Sequence, residues 1–149
     1  MNALSAERRV LTYGSFDPLQ IGHVRFLKRL STLGDRVIVG LSTDQFNSAK
    51  GAPSILPFEE RREILQSCQY VDHVIPETDW DQKHTDIVNY NIGLFAMGEQ
   101  FAGQYDYLND ITQVLYLPRS KSVYARDPEN VGPNPTQSIL NSQPTVKTA

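Results

Sequence analysis

"RVLTYGSFDPLQIGHVRFLKRLSTLGDRVIVGLS", residues 9–42, holds two apolar runs of strand length on either side of one stretch with helical spacing. Arg9 to Tyr13 is a β-branched and aromatic run closed by Gly14, which reads as a strand. From His23 onward Val24, Leu27, Leu30 and Leu33, with Phe26 beside them, recur at the spacing of one helix face, while Arg25, Lys28 and Arg29 fall on the other. Gly34 supplies the stop. Arg36 to Ser42 is then nearly continuous in apolar residues, the pattern of a parallel strand covered on both sides. Together these segments make one β-α-β unit.

The same alternation continues downstream. Thr43 to Ser54 mixes Asp, Asn, Ser, Gly and Pro and predicts a loop with a short helical start. "PFEERREILQSC", residues 57–68, opens with proline and carries Glu59 and Glu60 in its first turn, where carboxylates favour the positive end of a helix. A third strand is expected at His73 to Ile75, and a helix within residues 78–91 that ends by Asn91 or Gly93. "LFAMG", residues 94–98, and "TQVLYLP", residues 112–118, read as the last two strands. The fold class is therefore α/β: a Rossmann-like open, mostly parallel five-stranded sheet with helices on both faces. Residues 1–119 make up this domain. Residues 120–149 hold four of the nine prolines and show no sustained period, so an irregular Pro/Asn/Ser-rich tail is expected.

Composition narrows the function. The net charge of −3 over 149 residues argues against coating nucleic acid or a membrane by bulk electrostatics, so any basic site must be local. "MNALSAERR" has no apolar signal core and no apolar run approaches membrane-spanning length, which points to a cytoplasmic protein without membrane insertion. The single cysteine, Cys68, excludes an intramolecular disulfide and reads as a buried, inert thiol.

The turn after the first strand has its own chemistry. A glycine-bearing turn that feeds a helix aims unpaired N–H groups and the positive helix end at whatever lies above it, and phosphate fits there. Gly14 and Gly22 permit close backbone approach, His23 adds a donor or a positive charge, and Asp17 could orient a neighbour or help hold a metal. The plain alternative is a strand-to-helix turn shaped by Pro18.

"YGSFDPLQIGH", residues 13–23, resembles the signature of the HxGH nucleotidyltransferase superfamily. "GLSTDQFN", "YVDHVIPETDWDQK", "DIVNYNIGLFAMGEQFAGQYDYL" and "VLYLPR" extend the resemblance to bacterial glycerol-3-phosphate cytidylyltransferases, from about Val10 to Arg119. The resemblance implies transfer of CMP from CTP, with Mg2+, to glycerol 3-phosphate or a similar phosphorylated alcohol. It assigns roles residue by residue. Gly14, Ser15, Phe16, Asp17, Gly22 and Ser120 would meet the nucleotide, and Ser15 and Phe16 would do so through backbone. His23, with Gln20, would hold the transferring phosphoryl group. Lys50 and Lys83 would meet the acceptor phosphate, Arg61 would support that basic pocket, and Arg119 would bind the triphosphate. No residue is assigned to a metal. The family's common assembly implies a homodimer; Trp80, Phe101, Tyr105 and Tyr107 read as packing or subunit contact. Asp72 reads equally well as functional or as a residue that turns the chain into the third strand.

Four departures from the family pattern stand out. Gln20 replaces the first histidine of His-x-Gly-His, Gln69 replaces an arginine, and Ala52 replaces a second loop lysine. After Arg119 the chain reads "SKSVYARDPENVG" in place of a hydroxyl-rich helix start. A glutamine amide can still donate to a phosphate oxygen. The departures leave open a catalytically impaired nucleotide- or sugar-phosphate-binding protein on the same fold, or a transferase with another nucleotide or acceptor.

Overall fold

The computed structural model describes residues 7–118. They form β1 (Arg9–Gly14), α1 (Ile21–Ser31), β2 (Arg36–Ser42), α2 (Asp44–Ala49), α3 (Phe58–Gln66), β3 (His73–Glu77), α4 (Lys83–Asn89), β4 (Ile92–Gly98) and β5 (Gln113–Leu117), with 3-10 turns at Glu99–Phe101 and Asp106–Leu108. The expectations for Arg119, Ser120 and the tail fall outside these residues.

The five strands make one sheet in the order β3-β2-β1-β4-β5, and every neighbouring pair is parallel. Alternate residues along each strand face opposite sides, so each strand feeds two cores. Val10, Val37, Val39 and Leu41 pack with Leu27 and Leu30 of α1 and Leu65 of α3. Leu11, Tyr13, Ile38 and Phe95 pack with Ile87 of α4 on the other side. The sheet therefore has helices on both faces, as the sequence pattern implied.

The chain lays down β1, β2 and β3 in one direction and then returns past β1 to place β4 and β5. Right-handed crossovers put α1 and α3 on one face and, after the reversal, α4 on the other. The reversal lies between β1 and β4, the switch point where open α/β sheets bind ligands beyond their carboxyl ends. Because all strands are parallel, Gly14, Ser42 and Glu77 emerge on that same edge. Gly40 serves this packing: a Cβ there would collide with the Tyr13 ring, which crosses β2 at that point.

Several boundaries differ from the sequence reading, among them that of β4, which opens at Ile92 and not at Leu94. α1 starts at Ile21, two residues ahead of the apolar period, because Gln20 and His23 cap it. The helical start after β2 is a full α2, whose N-terminus Thr43 caps by accepting the Phe46 N–H at 3.1 Å. β3 runs on to Glu77, which pairs in register with Ser42. Asp72 sits at the opposite, amino end of the strands. It accepts the Val37 N–H at 2.7 Å and returns its own N–H to the Val37 carbonyl at 2.9 Å, which makes it the residue that turns the chain into β3. Cys68 is partly buried against the α1 face of the sheet.

Candidate active site

The turn from β1 to α1 is held by its own side chains. Phe16 adopts φ +44, a region few non-glycine residues occupy, and its ring is buried in the α1 core. The ring meets His23 edge-on at 5.3 Å between centroids. Gln20 and His23 form a capping box: the Gln20 N–H donates to His23 Nδ1 at 2.9 Å, and the Gln20 side chain takes the His23 backbone N–H in return. With Nδ1 accepting, the neutral imidazole carries its proton on Nε2, where it is a donor. Burial pushes the His23 pKa down to about 4, so the ring is uncharged at neutral pH. A Cβ on Gly22 would meet no protein atom within 4 Å, so nothing inside the described fold requires glycine there.

Asp17 and Arg61 tie this turn to the loops beside it. The Asp17 carboxylate accepts the Ile55 N–H at 2.6 Å and the Leu56 N–H at 2.8 Å, which clamps the α2–α3 loop onto the turn. Both oxygens are thereby engaged. The Arg61 side chain is fully buried and spends its N–H groups on protein acceptors. Nε donates to the Leu56 carbonyl at 2.8 Å. One terminal nitrogen donates to the carbonyls of Ser15 at 3.0 Å and Ser42 at 2.8 Å. The other reaches Asp44 Oδ1 at 2.7 Å and Ser54 Oγ at 3.2 Å. A guanidinium has five N–H donors. All five are therefore matched within the fold, and Arg61 braces the pocket from behind instead of offering a donor to a ligand.

The lysines converge at the carboxyl ends of β2 and β3. Lys83, the first residue of α4, is buried and pairs with Glu77 Oε2 at 3.5 Å. Its ammonium lies between two aromatic faces, 4.9 Å from the Tyr13 centroid and 5.5 Å from that of Tyr105. Lys50, at the end of α2, donates to Ser42 Oγ at 3.1 Å and sits 4.6 Å from the Phe46 ring centroid. Ser42 in turn donates to Glu77 Oε1 at 2.7 Å, and its Oγ lies 3.3 Å from the Gly14 carbonyl. Lys50 and Lys83 therefore share one buried carboxylate next to the end of β1. Burial pushes Glu77 up, against the pull of Lys83, Ser42 and Lys50; burial also pushes Lys50 down, and Lys83 and Arg61 add to that effect against Glu77.

Ser15 belongs to the same network, donating to Asn47 Oδ1 at 2.9 Å, and the buried Asn47 passes a hydrogen bond to Ser54 at 2.9 Å. Thus Gly14, Ser15, Phe16, Asp17, Gln20, Gly22, His23, Lys50, Arg61 and Lys83 all lie on or beside the carboxyl edge. Phe101 and Tyr105 pack on the α4 core, while Trp80 and Tyr107 are exposed, Trp80 meeting Phe46 at 4.9 Å. Sequence reasoning missed Glu77, Ser42 and Asn47. A buried charge closing an apolar strand, as in "HVIPE", was the available signal for Glu77.

Among the described residues no group of three or more His, Cys, Asp or Glu side chains could hold a metal ion. With Asp17 committed to backbone N–H groups, the described residues do not supply a protein cage for Mg2+. No helix among them is long and apolar enough to cross a membrane. The site can thus bind and orient phosphate groups: a helix N-terminus with open space over Gly22, a neutral histidine donor, and two ammonium groups fixed on one carboxylate.

Residues 11–140 match the cytidylyltransferase-like family, a span that runs past Arg119 into the segment read as a tail. The chain is 44% identical over 116 residues to the glycerol-3-phosphate cytidylyltransferase of Bacillus subtilis, covering 78% of this chain and 90% of that protein. It is 42% identical over 116 residues to the enzyme of the same description from Staphylococcus aureus, covering 78% and 88%. In fold it is similar to the lipopolysaccharide core biosynthesis protein of Thermoplasma volcanium, with a TM-score of 0.65 at 21% identity over 78% of this chain and 99% of that one.

Proposed function

The chain belongs to the cytidylyltransferase-like family, and from that premise we propose that it transfers CMP from CTP to glycerol 3-phosphate, releasing pyrophosphate and giving CDP-glycerol. The observation that carries this reading is the convergence of Lys50 and Lys83 on one carboxylate beside the phosphate-type turn.

A phosphate oxygen of the acceptor attacks the α-phosphorus of CTP, and the bond to the pyrophosphate leaving group breaks. The attacking phosphate is already anionic near neutral pH, so no general base has to remove a proton. Positioning and charge stabilisation carry the rate. Lys50 and Lys83 hold the acceptor phosphate, and both ammonium groups are anchored from behind by Glu77 and Ser42. His23 donates from Nε2 to a phosphoryl oxygen as charge develops there, and its low pKa keeps that donor neutral across the working range. The backbone of Ser15 and Phe16 and the open space over Gly22 receive the nucleotide phosphates. Asp17 and Arg61 fix the loops that form these walls. Arg119 and Ser120 complete the triphosphate site in this reading. Mg2+, brought with the nucleotide, would supply neutralisation of phosphate charge, and none of the described residues is assigned to hold it. A homodimer in the cytoplasm belongs to the same proposal, supported by the family resemblance and, for the compartment, by the single unpaired Cys68.

Purified protein, CTP, Mg2+ and glycerol 3-phosphate are expected to release pyrophosphate well above a His23→Ala control. ATP in place of CTP, and other phosphorylated alcohols in place of the acceptor, are expected to support much slower release. Release at the control rate, or equal rates with ATP, would defeat the assignment.

A further inference from the structure

We propose that Glu77 is the positioning residue of the acceptor site: its carboxylate, directly and through Ser42, holds the Lys83 and Lys50 side chains aimed at one spot, where a phosphate monoester completes the charge balance. The inference rests on the function proposed above and adds a residue that neither the motif nor the lysines themselves identify.

The geometry assigns each oxygen of Glu77 to one lysine. Oε2 faces Lys83 at 3.5 Å, and Oε1 takes the Ser42 hydroxyl at 2.7 Å, whose oxygen accepts from Lys50 at 3.1 Å. Ser42 thus relays the carboxylate to the second ammonium. An ammonium has three donors. Among the described residues Lys83 uses one on Glu77 and Lys50 one on Ser42, which leaves donors on both for a ligand.

The charges facing this point come from several elements. Lys50 closes α2, Lys83 opens α4, and Arg61 of α3 adds positive charge near Lys50, though Asp44 is bound to it. Tyr13 of β1 and Tyr105 from the connection before β5 flank Lys83, and both phenols are held neutral by burial. Asp86 of α4 is taken up by the Tyr13 hydroxyl at 2.6 Å, so Glu77 is the carboxylate in direct contact with Lys83 and, through Ser42, with Lys50. Without it, the two neighbouring ammonium groups repel each other with nothing between them, and Lys50, which burial already pushes down and Glu77 holds up, favours its neutral form. A neutral lysine no longer attracts phosphate. The loss is then largest at high pH, where deprotonation is easiest, and is reversed as pH falls.

Steady-state kinetics of wild type, Glu77→Gln and Glu77→Asp between pH 6 and pH 9 test this. Glu77→Gln is expected to raise the KM for glycerol 3-phosphate about tenfold or more at pH 8 and much less at pH 6, with the KM for CTP within about twofold. Glu77→Asp keeps the charge with a shorter reach, so its acceptor KM is expected to rise with little pH dependence. It carries the test alone if the glutamine variant fails to fold. An unchanged or lowered acceptor KM in Glu77→Gln would overturn the proposal. So would losses equal for both substrates at every pH, or the same pH profile in the two variants. Calorimetry with glycerol 3-phosphate separates the two readings. If wild type binds it without turnover, the transferase assignment fails, and the affinities of the variants still decide the role of Glu77. If wild type neither binds nor reacts, both fall.

Discussion

Arg61→Met removes a guanidinium whose donors reach the carbonyls of Leu56, Ser15 and Ser42 at 2.8, 3.0 and 2.8 Å, with Ser54 and Asp44 at the other end. Methionine fills the stem of the site but offers no donor. Each carbonyl left unmatched in the interior costs about 1 kcal/mol at the lower end, or about 3 kcal/mol for three. The Asp44 side chain is 46% exposed and regains water, so it adds little. At roughly 4 °C per kcal/mol for a domain of this size, the midpoint of thermal unfolding is expected to fall by about 12 °C. Circular dichroism melting of wild type and variant measures it. Arg61→Lys is expected to recover only a minor part, because one ammonium cannot span acceptors set out for a planar fork. A fall of under about 4 °C, combined with a selective rise in acceptor KM, would refute the reasoning, since the guanidinium would then serve the ligand and not the loops.

Three further outcomes follow from the turn. Gly22→Ala is expected to leave the melting temperature unchanged or slightly raised, since the new Cβ meets open space and alanine favours helix, yet to weaken CTP binding measured by calorimetry; unaltered affinity would show that no phosphate approaches there. His23, with a pKa of about 4 against an ordinary 6.5, binds its proton more readily in the unfolded chain, so its contribution to stability is complete above about pH 6.5 and is lost as pH falls toward 4. Melting temperatures across that range should therefore drop less steeply in His23→Gln than in wild type, and parallel curves would contradict this. Gln20→His is expected to raise turnover about tenfold or more by adding an imidazole donor at the turn; unchanged or lower kcat in the pyrophosphate assay would show that the glutamine already meets the need.

The sheet was legible because its signals are local. Apolar runs of strand length, a helical period between them and glycine or proline at the boundaries suffice to order the elements, and the parallel pairing follows from their alternation. Boundaries shifted where side chains reach back to the chain, as Gln20 and His23 do at the start of α1. The site was legible as a set of positions and much less as a set of partners. Arg61 looked like one more basic group because nothing local announces that its acceptors come from Ser15, Ser42, Asp44, Ser54 and Leu56. Glu77 carried a local signal as a charge closing an apolar strand, but its role was hidden for the complementary reason. Its partners Ser42 and Lys83 belong to other segments, and only the pairing of β2 with β3 makes Ser42 its neighbour.

The bracing of Arg61 also limits how this enzyme can be re-engineered. Loops on open α/β folds are often treated as exchangeable parts, so that a new acceptor preference is sought by grafting one segment from a relative. Here residues 52–56 cannot travel alone: Ser54 and the Leu56 carbonyl complete a guanidinium that the other loops also share, and Ile55 and Leu56 hold Asp17. A successful graft would have to move the α2–α3 loop together with Asp17, Asp44, Asn47 and Arg61, as one inherited block.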